Sequence, residues 1–240
     1  MSKLRAAALS DIGRVRQNNE DRALLDLPFR LFGVADGVGG LPGGAEAAQA
    51  AHDSIFRAFQ ALPPAQEPNL TAIVEEANRS VAEMGRKISP ASGIATTLTF
   101  GCVYRSSMRI AHLGDSRCYG WVDGQFSQLT QDHTVESEAR RQRSRGEVMP
   151  YSPAERHAIT RCLGFSFPPN PDFEVRPLQA DDRYLFCTDG ITGPVSNEEI
   201  ASALRQPKEP AAILQELIAL ASRRGGVDNA TGVLVIVDEP

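Results

Sequence analysis

The residues best placed to do chemistry are aspartates that close apolar runs. Leu31-Phe32-Gly33-Val34-Ala35 ends in Asp36-Gly37, Tyr184-Leu185-Phe186-Cys187-Thr188 ends in Asp189-Gly190, and Ile110-Ala111-His112-Leu113-Gly114 ends in Asp115. Asp228 stands on the other side of such a run, before Asn229-Ala230-Thr231. A strand end holds a short carboxylate on a rigid rim, and a neighbouring glycine leaves room for a backbone carbonyl or a ligand. One Asp-Gly after an apolar run is usually only a turn. Several such units are another matter, because converging carboxylates repel one another unless cations neutralise them. The implied ions are hard and oxygen-binding, Mg2+ or Mn2+. In Gly13-Arg14-Val15-Arg16-Gln17-Asn18-Asn19-Glu20-Asp21, a guanidinium also precedes two adjacent acids. Arginine can grip a phosphate in bidentate fashion and the acids can join a metal shell, although a surface ion pair is the commoner reading of such a stretch.

The elements that must position these groups can be read from periodicity. Apolar and β-branched runs bounded by turn residues predict strands near 4–10, 23–27, 30–35, 94–104, 107–113, 116–122, 172–178, 183–188 and 231–237. Ala-rich segments with helical period predict helices over about 44–61 and 70–87, separated by Pro63 and Pro64, and another pair over 196–205 and 209–223. Strands, two helices, strands, two helices and a last strand do not alternate as a parallel doubly wound fold does; the order predicts an α+β sandwich. Residues 134–158 differ in kind: they are charged, carry Arg140, Arg141, Arg143 and Arg145, and break at Pro150 and Pro153. They read as a mobile helical flap, whose arginines form either a docking face for phosphoproteins or a solvated helix face.

Composition narrows the function. A net charge of -5 over 240 residues argues against a nucleic-acid binder, which needs a basic surface. The four cysteines are too far apart in sequence for a zinc or redox motif. No apolar run approaches the roughly 20 residues of a membrane span, and the N-terminal apolar run is too short for a signal peptide. One domain over 1–240 and a cytoplasmic location are expected.

Seven blocks then occur in order: Arg16-Gln17-Asn18-Asn19-Glu20-Asp21, Val34-Ala35-Asp36-Gly37-Val38-Gly39-Gly40, Gly114-Asp115-Ser116-Arg117, Leu129-Thr130-Gln131-Asp132-His133-Thr134, Thr160-Arg161-Cys162-Leu163-Gly164, Cys187-Thr188-Asp189-Gly190-Ile191 and Asp228-Asn229-Ala230-Thr231. This series resembles the signature of the type 2C (PPM family) metal-dependent protein serine/threonine phosphatases in their compact bacterial form. The resemblance implies a four-layer αββα sandwich of two antiparallel sheets, each covered by a helix pair. It implies hydrolysis of phosphoserine and phosphothreonine in proteins at a centre of two Mg2+ or Mn2+ ions with a weaker third. By position, Asp36 would bridge two cations, Asp189 and Asp228 would complete one, and the Gly37 carbonyl with Glu20 or Asp21 would hold the other. Asp115 with Asp189 would hold the third, and Arg16 the substrate phosphate. Phosphorylated proteins are the expected partners of a monomer. Val38 departs from the pattern, since some members, mainly eukaryotic, carry a histidine there as a proposed general acid. His133 and His157 read as structural.

Rival readings fare worse. Gly37-Val38-Gly39-Gly40-Leu41-Pro42-Gly43 has proline where a dinucleotide loop needs glycine. Gly114-Asp115-Ser116 would need a histidine base for a serine esterase, and His52, His112, His133 and His157 all lie before the C-terminal third. A catalytically silent phosphoprotein-binding module on the same fold is the alternative, and it would require a lost metal ligand.

Overall fold

A strand that is apolar on both faces must be covered on both sides, and the order of elements supplies that cover. The computed structural model describes residues 2–40, 42–63, 66–165 and 167–240. In chain order it contains β1 (Lys3–Asp11), β2 (Asp21–Asp26), β3 (Leu31–Asp36), α1 (Gly44–Gln60), α2 (Leu70–Ile88), β4 (Leu98–Tyr104), β5 (Ser107–Leu113), β6 (Arg117–Val122) and β7 (Gln125–Gln128). There follow α3 (Val135–Ser144), β8 (Asp172–Pro177), β9 (Arg183–Cys187), α4 (Asp189–Thr192), α5 (Asn197–Arg205), α6 (Pro210–Arg223) and β10 (Ala230–Glu239).

The strands form two antiparallel five-stranded sheets, ordered β1-β10-β9-β6-β7 and β2-β3-β4-β5-β8. Period two sorts their side chains into three cores. In β10, Leu234 packs toward α5 and α6, whereas Val233, Val235 and Val237 enter the layer between the sheets. In β3, Leu31 and Ala35 face α1 and α2, while Phe32 and Val34 face the other sheet. The predicted αββα sandwich is therefore what forms.

Local chemistry sets the helix starts. Asn69 accepts from the Ala72 amide, Thr134 from the Ser137 amide, and Ser196 forms a reciprocal capping box with Glu199. One expectation needs correcting and two elements went unread. The strand expected over 94–104 starts only at Leu98, because Thr96 and Thr97 turn their hydroxyls onto the Asp36 backbone. The short edge strand β7 and the single-turn α4 gave too little pattern to be read. Within 134–158, the chain is helical over α3 and has a 3-10 turn at Pro153–Glu155. Its ends are joined where the Val135 amide donates to the Ala158 carbonyl and the Glu136 amide to the Arg156 carbonyl, both at 3.0 Å. Arg140 and Arg141 pair with Glu136 and Glu138 on the same helix, so half of the arginine cluster is already neutralised.

Candidate active site

The strand ends named by the sequence meet at one edge of the sandwich. Asp21 begins β2 directly opposite Asp36 at the end of β3, as antiparallel pairing requires. Asp115 follows β5, Asp189 follows β9 as the first residue of α4, and Asp228 precedes β10. A cleft of about 450 Å³ is lined by Arg16, Glu20, Asp36, Gly37, Asp115, Asp189 and Asp228, so every expected site residue except Asp21 lies on its wall. Asp21 is buried, and its Oδ2 accepts from the Thr188 hydroxyl at 2.9 Å.

Backbone crowding explains the glycines. A Cβ on Gly190 would lie 1.8 Å from the Asn229 carbonyl oxygen, so only glycine lets the Asp189 and Asp228 segments touch. A Cβ on Gly37 would meet the Gly44 carbonyl oxygen at 2.4 Å. Asp36 is clamped through its main chain: its amide donates to Thr97 Oγ1 at 3.0 Å, and its carbonyl accepts from Thr96 Oγ1 and the Thr97 amide, both at 2.8 Å. Its side chain is free to serve the cleft.

Electrostatics show the cost of that convergence. Burial first, and then the charges of Asp21, Asp189, Asp115 and Asp228, push the Asp36 carboxyl well above the usual range. Burial and the nearby Asp189 raise Asp115 to about 7, and burial chiefly raises Asp21 to about 6. The Asp36 carboxyl thus interacts directly with those of Asp21 and Asp189. Arg16 lies at the cleft, half exposed, its Nη2 2.8 Å from Asp228 Oδ2.

Among the described residues, no three His, Cys, Asp or Glu side chains already stand at metal-ligand geometry. The donor set nevertheless fits hard cations. It is all oxygen, it is buried beyond what anions tolerate alone, and Asp21 Oδ1 is buried with no hydrogen-bond partner. Cys162 also lines the cleft, but burial pushes its thiol up to about 11, which rules out a thiolate nucleophile at neutral pH.

Sequence reasoning missed the residues that hold the acids in place. Asn229 is buried; its Oδ1 accepts from the Glu20 amide at 2.8 Å, and its Nδ2 donates to the Ile12 and Asn18 carbonyls at 2.9 and 3.0 Å. It ties the Arg16 loop to the Asp228 loop. The adjacency Asp228-Asn229 was the available signal. His133 is buried, with Nδ1 accepting from the Gly114 amide. His157 lines the cleft, with Nε2 accepting from Arg156 Nε at 2.7 Å.

Two packed antiparallel sheets between helix pairs, with acidic loops gathered at one edge, define the class. Residues 7–230 match the family model described as Protein phosphatase 2C, and the chain belongs to that family. It is 36% identical over 238 residues to the serine/threonine protein phosphatase PstP of Mycobacterium tuberculosis, covering 98% of this chain and 45% of that protein. The chain thus spans about half the length of that relative. It is 29% identical to the serine/threonine phosphatase stp of Listeria welshimeri, covering 94% of this chain and 93% of the relative. A crystal structure of the PstP catalytic domain in complex with two manganese ions superposes with a TM-score of 0.85 at 36% identity, over the whole of both chains. No helix among the described residues is long and apolar enough to cross a membrane.

Proposed function

We propose that the chain hydrolyses phosphoserine and phosphothreonine monoesters in phosphorylated proteins, using Mg2+ or Mn2+ at the carboxylate cluster. The observation that carries this reading is the convergence of Asp36, Asp115, Asp189 and Asp228 on one cleft with Arg16 beside them and buried Asp21 paired opposite Asp36. Two such cations would be held by Asp36 together with Asp189 and Asp228 for one and with the Gly37 carbonyl and Glu20 or Asp21 for the other, and Asp115 with Asp189 would hold a weaker third. Bound divalent ions acidify water and offset charge on a phosphoryl group. The relatives' phosphatase names and the manganese-bound neighbour support the reading.

The protein's own groups do the rest. Arg16 is the cleft's cation, and its half-exposed guanidinium can turn from Asp228 to phosphoryl oxygens, where two parallel N–H donors meet developing charge. Thr96, Thr97 and Asn229 keep the acidic loops in register while that exchange occurs. Val38 on the cleft wall has no proton to give. The whole of 1–240 acts as one catalytic domain with 134–158 as its flap, monomeric and cytoplasmic, on phosphoproteins and not on nucleic acid.

The test is phosphate release from phosphothreonine, phosphoserine and phosphotyrosine peptides, with Mn2+ and with EDTA. Release from the first two, abolished by EDTA, is expected. Tight phosphopeptide binding without release would replace hydrolysis by the silent binding module.

A further inference from the structure

A second cavity, of about 310 Å³, adjoins the catalytic cleft and shares Asp189 and Asp228 with it. Its other walls are Gly193-Pro194 and Gly226-Val227, with Arg224 alongside. The chemistry of those walls is apolar despite the arginine. Both Arg224 Nη atoms donate to the Glu199 carboxylate, at 2.6 and 2.7 Å, and Nη1 also donates to the Pro194 carbonyl at 2.7 Å. Three of its five N–H donors are therefore engaged and its charge is matched by Glu199, which weakens its pull on an anion. The glycines add no side chains, so carbon from Pro194 and Val227 faces the space.

The rim points the same way. Val227 is 66% exposed and Val15 65%, on loops joined where the Arg14 amide donates to the Gly226 carbonyl at 2.7 Å. Gly13 sits against the Asp228 and Gly226 carbonyls so closely that a Cβ there would be 2.4 Å from the first. Two aliphatic side chains thus stand in water next to Arg16, where no fold requirement puts them.

The geometry points to a specificity subsite: the cavity receives an apolar side chain that flanks the phosphorylated residue of the substrate. This rests on the phosphatase reading above. A peptide that presents its phosphate to Arg16 and the acidic cluster can pass a residue next to the phosphorylated one over the shared Asp189–Asp228 wall into this cavity. The space suits one side chain and is at the lower limit of a small-molecule pocket.

Leucine is moved through the two positions on either side of phosphothreonine in an otherwise Gly- and Ser-rich peptide, and kcat/KM is measured at each. One position should exceed the glycine reference by about tenfold, mainly through KM, the usual worth of one apolar side chain in a half-open pocket. Aspartate at that position should remove the gain. Val227→Thr keeps the side chain's shape on an exposed loop, and should cut the leucine preference to about twofold or less. No favoured position in the wild type, or a full preference in Val227→Thr, overturns the subsite. The same peptides made with non-hydrolysable phosphonates and followed by fluorescence anisotropy separate the two readings. An ordered series of affinities without turnover would defeat the phosphatase reading and keep the subsite; equal affinities would defeat the subsite.

Discussion

Replacing Asp115 by asparagine in the cation-free protein isolates the cost of holding one ionised carboxylate in the cleft. In the fold, burial, and then the charge of Asp189, raise this group from an ordinary 3.8 to about 7. In the unfolded chain it reverts to the ordinary value. Between those pH values the folded protein holds a proton that the unfolded chain has lost, so the group's contribution is fully present below about pH 4 and lost as pH rises through about 7. At about 1.4 kcal/mol per pKa unit the whole rise is worth on the order of 4 kcal/mol, and the part falling between about pH 5 and pH 8 is about 2 to 3 kcal/mol. Buried His112, pushed down to about 3, titrates with the opposite sign, since it favours the fold as pH rises toward the ordinary histidine value. Because His112 is common to both proteins, the difference between wild type and Asp115→Asn cancels it. Urea denaturation in EDTA at about pH 5, 6, 7 and 8 should therefore show wild type losing about 2 to 3 kcal/mol relative to the variant across the range. Saturating Mn2+ should flatten that loss, because a cation stabilises the ionised form. Wild-type stability that stays level or rises relative to the variant as pH increases in EDTA would refute the reasoning, and Asp115 would have to be ionised and well solvated in the fold.

Three further outcomes follow from named contacts. Asp36→Asn should fold, and should gain stability in EDTA through loss of repulsion, yet release phosphate at less than about a tenth of the wild-type rate, measured with a phosphothreonine peptide. Asn229→Ala removes three hydrogen bonds at a buried position and should lower unfolding free energy by about 2 to 3 kcal/mol in urea, with the loss of ordering confined to residues 12–20 in hydrogen exchange. Gly190→Ala forces a methyl group against the Asn229 carbonyl and should cost about 3 kcal/mol or more, read as a thermal midpoint lowered by several degrees or as failure to fold.

Much of the architecture was legible because β3 and β10 are apolar on both faces, a pattern that only a strand covered on both sides can use. The helices declared themselves through their period, with Pro63 and Pro64 separating the first pair. Arg16, Asp36, Asp115, Asp189 and Asp228 stood out because each acid lies next to a strand end, and strand ends in antiparallel sheets gather at an edge. Tertiary structure alone decided what those acids face. The register that sets Asp21 opposite Asp36 depends on strand pairing, and a slip of one residue would send Asp21 to the other face. Thr188 reaches Asp21 across 167 residues and Asn229 reaches Glu20 across 209, so their place beside the acids along the chain gave no sign of the contacts they make. His157 came to the cleft only because the segment before it folds back on α3. The sequence by itself determined which groups can bind cations and phosphate, since that is a property of side-chain chemistry. Their burial, and with it their raised pKa values, was decided by packing, because desolvation depends on every neighbour that excludes water and not on the residues adjacent in the chain.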